Sequence, residues 1–268
     1  MLRLAFISLC AASFAHAADF PSKPVRFVTG AAAGSTGDVL GRVLADQLST
    51  LWKQPGIVDN RPGGGGVIAS QATLAAPADG HTVCICAGSY VTITPATTAN
   101  MPYDVDKDFT PIAFVAEIPL VIGARPDLPY KTIAELVAYA KANPDKVNYA
   151  ANTPGTFPNL ATEYFSQQAG IKMRFIPYKG SAPALADLMG GRLDLVVEGV
   201  AALGGAIKGG ALRPLAVTST RRDPTLPEVP AVAETIPGFS AIGFYVVLAH
   251  AKTPQPLAAR RSLTTASW

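Results

Sequence analysis

Cysteine, histidine and charge are all scarce in this chain. Three cysteines and three histidines in 268 residues leave no Cys/His cluster of the kind that holds a structural metal. Charged residues make up 15% and the formal balance is +3; with no Lys/Arg run longer than a pair, the electrostatic footprint of a nucleic-acid binder is missing. Nor is there an apolar run near the roughly 20 residues that cross a bilayer, which excludes a membrane anchor. Cys84 and Cys86 alternate along a strand-like run. They share a face but lie too far apart along an extended backbone for unstrained bridging, so two buried free thiols are expected.

Apolar material is plentiful, at 49% of residues, enough for one large domain or two small lobes. The N-terminus carries Arg3, an apolar run from Leu4 to Ala15, and the triplet Ala15-His16-Ala17. That pattern predicts a cleavable signal peptide over 1–17 and export to a bacterial periplasm. Leu9 stands where a small residue precedes a lipid-modified cysteine, so Cys10 is not read as a lipid anchor.

The stretch Arg26 to Asp38 reads as a β-branched strand, a loop of small residues and a helix opening at Asp38, apolar at Val39, Leu40, Val43, Leu44, Leu48 and Leu51. A helix N-terminus with small residues before it presents backbone N–H groups to an anion. Further strands are expected at 57–58, 81–87, 112–115, 120–124, 147–151, 174–176, 193–197, 215–218 and 242–248. Helices are expected after Gly66, from the capping box Thr132-x-x-Glu135 to Ala142, and over 158–169 and 183–189. This alternation predicts an α/β fold with parallel sheets covered on both faces. The strand, small-residue loop and helix start recur at Tyr149 to Pro158 and Pro177 to Pro183. Ligands sit beyond the carboxyl ends of such strands.

Three enzyme or metal motifs are weaker. Ala33-Gly34-Ser35-Thr36-Gly37 fits a variant serine-hydrolase elbow, but it follows the first strand, and His250 has no recognisable acid partner. Gly64-x-Gly66-x-x-Ala69 formally fits a dinucleotide fingerprint without the acidic residue that holds the ribose; a tight turn of positive-φ glycines braced by Asn60 and Arg61 is the better reading. Cys-x-Cys lacks further metal ligands. No converging carboxylate pair is evident, and neither catalysis nor any cofactor is expected.

Pro21-Ser-Lys-Pro-Val-Arg26, Asn60-Arg-Pro-Gly63, Asp79-Gly-His-Thr82, Met101-Pro-Tyr-Asp104, Lys107-Asp-Phe-Thr-Pro-Ile112, Tyr178-Lys-Gly-Ser-Ala-Pro-Ala184, Leu212 to Ser219 and Leu226-Pro-Glu-Val-Pro230 together resemble the Bug-type periplasmic solute-binding proteins of tripartite tricarboxylate transporters. The resemblance runs from about Phe20 to Pro254. It implies a type II periplasmic binding protein fold: two α/β lobes, a cleft between them and two crossover strands, closing like a Venus flytrap. It also implies a small carboxylate ligand, a di- or tricarboxylate, acidic amino acid or aromatic acid, gripped by amides and hydroxyls rather than an arginine. Gly34, Ser35 and Thr36 match the family's first loop, and Gly155 and Thr156 its second. Ser89, Tyr90, Asn152, Thr153, Phe157 and Glu198 complete the candidate ligand-binding set.

Phe157 replaces a common serine, Asn159 a common histidine, and Ala150 and Ala151 a glycine and serine, making the cleft more apolar. Phe157 either stacks with Tyr90 on an aromatic acid or packs into the second lobe; Lys179 is read as a solvated surface residue. The expected division is 1–17 signal peptide, 18–117 lobe 1, 118–220 lobe 2, and 221–268 a return to lobe 1. The stretch from Ala258 matches nothing in the family and reads as a truncated end, which keeps open a non-functional remnant of the binder. Expected partners of this monomer are transporter subunits or a sensor, with no nucleic acid and no insertion into the membrane. A secreted serine hydrolase using Ser35 is the alternative.

Overall fold

Val25, Phe27, Val28 and Thr29 are buried while Arg26 is exposed, and the run forms strand β1 (Val25–Thr29). In chain order follow α1 (Thr36–Trp52), β2 (Gly56–Asn60), α2 (Val67–Leu74), β3 (Thr82–Ala87), the short helices α3 (Gly88–Val91), α4 (Ile93–Thr97) and α5 (Val105–Asp108), and β4 (Phe109–Ala124). Then come α6 (Ile133–Ala142), β5 (Asn148–Ala151), α7 (Phe157–Ala169), β6 (Arg174–Pro177), α8 (Ser181–Met189), β7 (Leu195–Gly199), α9 (Val200–Lys208), β8 (Arg213–Val217) and β9 (Ile242–His250). This computed structural model describes residues 20–254; the expected signal peptide and the stretch from Ala258 lie outside them.

The strands line up as β2-β1-β3-β9-β4-β7-β5-β6, with β8 on the far side of β4. The path divides at β4. Its residues 109–119 pair with β9, and residues 120–124 pair with β7 and β8. The first lobe therefore reads β2-β1-β3-β9-β4 and the second β6-β5-β7-β4-β8, the same layout twice. In each, three parallel strands are followed by two antiparallel ones. This is the two-lobed type II binding-protein arrangement, and the parallel sheet expected from the alternation holds for three strands per lobe.

Each lobe has its own core. Phe27, Val83, Ile85 and Val247 centre the first, and Leu120, Ile122, Tyr149, Phe165 and Leu195 the second. Helix α1 begins at Thr36 rather than Asp38, and its buried face is made of small residues: Gly37, Gly41 and Ala45. A Cβ on Gly56 would stand 2.8 Å from the Ala45 backbone, so helix and strand touch there almost backbone to backbone. Val43 and Leu51, expected on the buried stripe, are exposed; this close approach turns them outward.

Three further expectations are corrected, and one helix appears that the sequence did not announce. The strands expected at 112–115 and 120–124 are one strand, β4, because Pro111 and Pro119 sit at register irregularities and at the sheet change, where a missing N–H is tolerated. Helix α9 escapes the periodicity because Gly204 and Gly205 interrupt it, yet buried Leu203 anchors it. Residues 221–241 stay with the second lobe, since Leu226, Val229, Val232 and Phe239 are buried in its cores, and the chain re-enters the first sheet at Ile242 rather than 221. Cys84 and Cys86 are joined by a disulfide rather than free, because the strand contracts locally to a Cα separation of 5.3 Å, within bridging range.

Candidate functional site

Two loops of matching build face each other at the carboxyl ends of β1 and β5. In the first, Gly34 takes φ +78° and Ser35 is the N-cap of α1; in the second, Gly155 takes φ +77° and Thr156 is the N-cap of α7. Only glycine adopts such a φ cheaply. The Gly34 N–H donates to Oδ2 of Asp38 at 3.0 Å, and the Gly155 N–H to Oδ1 of Asn159 at 3.1 Å. A side chain one turn into each helix thus fixes the glycine before it. Desolvation alone would raise the Asp38 carboxyl, but hydrogen bonds from Arg42 and Gly34 hold it below the usual carboxylate range.

Neither N-cap side chain caps its own helix. Ser35 Oγ instead accepts the Ser181 N–H at 3.3 Å, and Thr156 Oγ1 donates to the Thr153 carbonyl at 2.7 Å. The Ser181 contact joins the lobes, and a Cβ on Gly180 would stand 2.8 Å from Ala32 on the other side. The two lobes are in contact at this point.

Glu198, the penultimate residue of β7, lies at this junction and is 5% exposed. Its Oε1 accepts the Thr36 hydroxyl at 3.1 Å, from the first lobe, and the Gly199 N–H at 2.8 Å. Its Oε2 accepts Asn152 Nδ2 at 2.9 Å and the Ser181 hydroxyl at 3.5 Å. No cation pairs with it among the described residues. Burial pushes its carboxyl up, opposed by these four donors.

The loops enclose a cavity of about 510 Å³, within the range of small-molecule sites. Ser35, Thr36, Ser89, Asn152, Thr153, Thr156 and Glu198 supply its polar lining. Four of its five aromatic lining residues lie on glycines, while the fifth, Tyr178, donates its hydroxyl to Asp187 Oδ2 at 2.6 Å. Tyr90 covers Gly66, Phe244 covers Gly88, Phe157 covers Gly243 and Tyr245 covers Gly37; an added Cβ would stand 2.2 to 2.9 Å from each ring. Phe157 reaches from α7 to Gly243 of β9 and also packs against the second lobe's core, the packing role expected of it. Tyr90 is 6% exposed and fixed between Gly66 and Gly30.

Nine of the eleven candidates line this cavity: Ser35, Thr36, Ser89, Tyr90, Asn152, Thr153, Thr156, Phe157 and Glu198. Gly34 and Gly155 do not; they shape the loops from behind. Lys179 is exposed while bordering the cavity. His250 lies five residues beyond Tyr245 on β9, about 17 Å along an extended strand, and its Nδ1 accepts the Lys252 N–H. It does not reach Ser35. The glycine turn adopts positive φ at Gly63, Gly64, Gly65 and Gly66, as expected of a structural turn, and Asn60 Nδ2 ties it to the Ala31 carbonyl. Sequence reasoning missed Ser181, Ile118 and the β9 residues 242–245. Ser181 lies in the third strand-loop-helix device; nothing in the run 242–245 distinguishes it from an ordinary buried strand.

The family model described as the tripartite tricarboxylate transporter family receptor matches residues 40–267, so the expectation that the family likeness stops near Pro254, with nothing matching from Ala258, is corrected. Protein BugT of Bordetella pertussis is 36% identical over 86% of this chain and 71% of its own length. Among solved structures, the R. palustris protein Rpa4515 with adipate has a TM-score of 0.86 at 34% identity, over 90% of this chain and 81% of its own. MatC from Rhodopseudomonas palustris with bound malate has a TM-score of 0.80 at 28% identity, over 90% of this chain and 82% of its own.

Proposed function

The chain belongs to the tripartite tricarboxylate transporter receptor family, and we propose that it captures a small organic carboxylate in the periplasm and hands it to a tripartite transporter or a sensor. The observation that carries this is the pair of facing loops with matching backbone, Gly34-Ser35-Thr36 and Gly155-Thr156, opening on one cavity. Adipate and malate in the two structural relatives support the ligand class. The protein reads as a monomeric receptor that binds without catalysis, exported by cleavage after residue 17. Its lobes are read as 18–117 with the return from 242, and 118–241.

The energetics require both loops. Micromolar affinity corresponds to about −8 kcal/mol, whereas a helix terminus contributes about 0.3–2 kcal/mol. Hydrogen bonds to a charged group contribute about 1.5–3 kcal/mol each, so three or four donors drawn from both lobes close most of the gap. Ligand binding therefore favours the closed cleft, where both sets of donors reach it.

A thermal-shift panel of citrate, succinate, glutamate, nicotinate and terephthalate, beside neutral sugars and amines, tests the reading, because a ligand of the folded state raises the melting temperature. At least one carboxylate stabilises the protein, and Ser35→Ala weakens that effect. Stabilisation by sugars or amines alone refutes the anion grip.

A further inference from the structure

Resting on the receptor reading above, we infer that Tyr149 and Glu163, neither of which lines the cavity, are positioning residues for the second ligand loop: they form a one-way hydrogen-bond chain that fixes Gly155 from behind. The chain starts outside. Glu163, exposed on α7, accepts the Tyr149 hydroxyl. Tyr149 Oη, on β5 and fully buried, accepts Asn159 Nδ2 at 3.2 Å, and Asn159 Oδ1 accepts the Gly155 N–H at 3.1 Å.

The direction of the chain follows from the groups themselves. An ionised carboxylate only accepts, whereas a phenol has a single hydrogen to give. With that hydrogen on Glu163, Tyr149 can only accept from Asn159. A carboxamide has one donating and one accepting end, so seating Nδ2 on Tyr149 turns Oδ1 toward Gly155. The reverse orientation would set an NH2 group against the Gly155 N–H. Burial first, then the Glu163 hydrogen bond, push the Tyr149 hydroxyl well above its ordinary pKa, so its proton stays in the chain.

The first loop shows why the second needs this device. There Asp38 holds Gly34, and Arg42, four residues further on, holds Asp38 with Nε 3.0 Å from Oδ2. Both oxygens of Asp38 accept, so nothing has to choose between its ends. Asn159 stands equally far beyond its N-cap, and Glu163 again four residues on, but here the hold passes through Tyr149. The neutral amide leaves α7 with no acid in its first turn, which suits an anion at that N-terminus. Its two unlike ends must then be oriented. A loop already held in its bound shape, with Gly155 at φ +77°, spares the ligand the cost of ordering it.

Isothermal titration with citrate, succinate, glutamate, nicotinate and terephthalate selects the acid that binds wild type most tightly. That acid is then titrated into variants whose melting temperatures show that they are folded. Tyr149→Phe, which keeps the ring beside Phe175, weakens binding by about three- to tenfold, the scale of one neutral hydrogen bond. Glu163→Ala, on the exposed face, weakens it by about two- to fivefold and leaves the melting temperature nearly unchanged. In an Asn159→Asp background, where both ends of the side chain accept, Tyr149→Phe changes affinity less than twofold; a tyrosine that only supports the core would act alike in both backgrounds. Folded Tyr149→Phe binding within threefold of wild type overturns the inference and leaves the receptor reading standing, as does an equal loss in both backgrounds. If Tyr149→Phe does not fold, unchanged affinity in Glu163→Ala overturns it. No heat with any of the five acids, on folded wild type, overturns both.

Discussion

Gly199→Ala is a wedge aimed at closure. Gly199 has φ −62° as N-cap of α9, so alanine is not strained in the backbone, although the poorer N-cap costs roughly 0.5–1 kcal/mol. The new Cβ stands 2.4 Å from Thr36 Oγ1 and 3.1 Å from its Cγ2, across the lobe junction, and 3.0 Å from Ile118. Overpacking of this kind costs about 1–3 kcal/mol, and the Thr36 share is paid only when the cleft is shut. Because the ligand must supply the energy to close, affinity falls by roughly 5- to 150-fold at 1.4 kcal/mol per decade. The unliganded melting temperature, set by the two lobe cores, moves little. Isothermal titration with the best ligand of the panel and calorimetric melting of the free protein measure the two quantities. Unchanged affinity with a lowered melting temperature would refute the reasoning, since it places the clash in the lobe fold rather than at closure.

Thr36→Val removes the hydroxyl that reaches Glu198 while keeping shape; the lost charge-assisted bond, about 1.5–3 kcal/mol, weakens binding by roughly 10- to 150-fold, read by titration. Glu198 has its pKa raised, first by burial, so it takes up a proton more readily in this site than in water. Carboxylate affinity is therefore greatest below that raised value and declines as pH rises through it, and Glu198→Gln flattens the profile. Its titratable neighbours Tyr90 and Tyr245 are pushed upward by burial and stay neutral over that range. Asp38 is lowered from 3.8 despite burial, so its contribution to stability is present above pH 3.8 and is lost as pH falls through the folded value; Asp38→Asn melts below wild type at pH 7, and the gap narrows in acid. Replacing both Cys84 and Cys86 by alanine removes a cross-link that closes a very short loop, worth about 1.5 kcal/mol in the chain-entropy treatment, and lowers the melting temperature by about 3–6 °C.

The local grammar of the fold was readable in the residues. Strand, small-residue loop and helix start at 25–36 and 148–157 follow from β-branching, glycine and helix-favouring runs, and half of the capping box at Thr132 forms as spelled, with Glu135 N–H donating to Thr132 Oγ1, while the Glu135 carboxylate accepts the Lys131 N–H instead of the Thr132 N–H. Six of the nine cavity-lining candidates, Ser35, Thr36, Ser89, Asn152, Thr153 and Thr156, were reachable because small polar residues beyond strand ends serve a ligand more readily than a core. Long-range pairing was not readable. Whether Val43 faces in or out depends on how closely α1 approaches β2, and the union of 112–115 with 120–124 depends on β9 arriving from more than a hundred residues away. The aromatic lining depends on which glycine lies beneath each ring, which no spacing reveals.

Strand β4 belongs to both halves of the molecule, bonded to β9 along its first two-thirds and to β7 and β8 along the rest. An axle that is also a structural member of each wheel cannot let them drift apart. Any opening of the two halves twists the chain at residues 118–120 and at the second crossing, Ala241 to Ile242. The travel at Ser35 and Thr156 is then set by their distance from these two crossings.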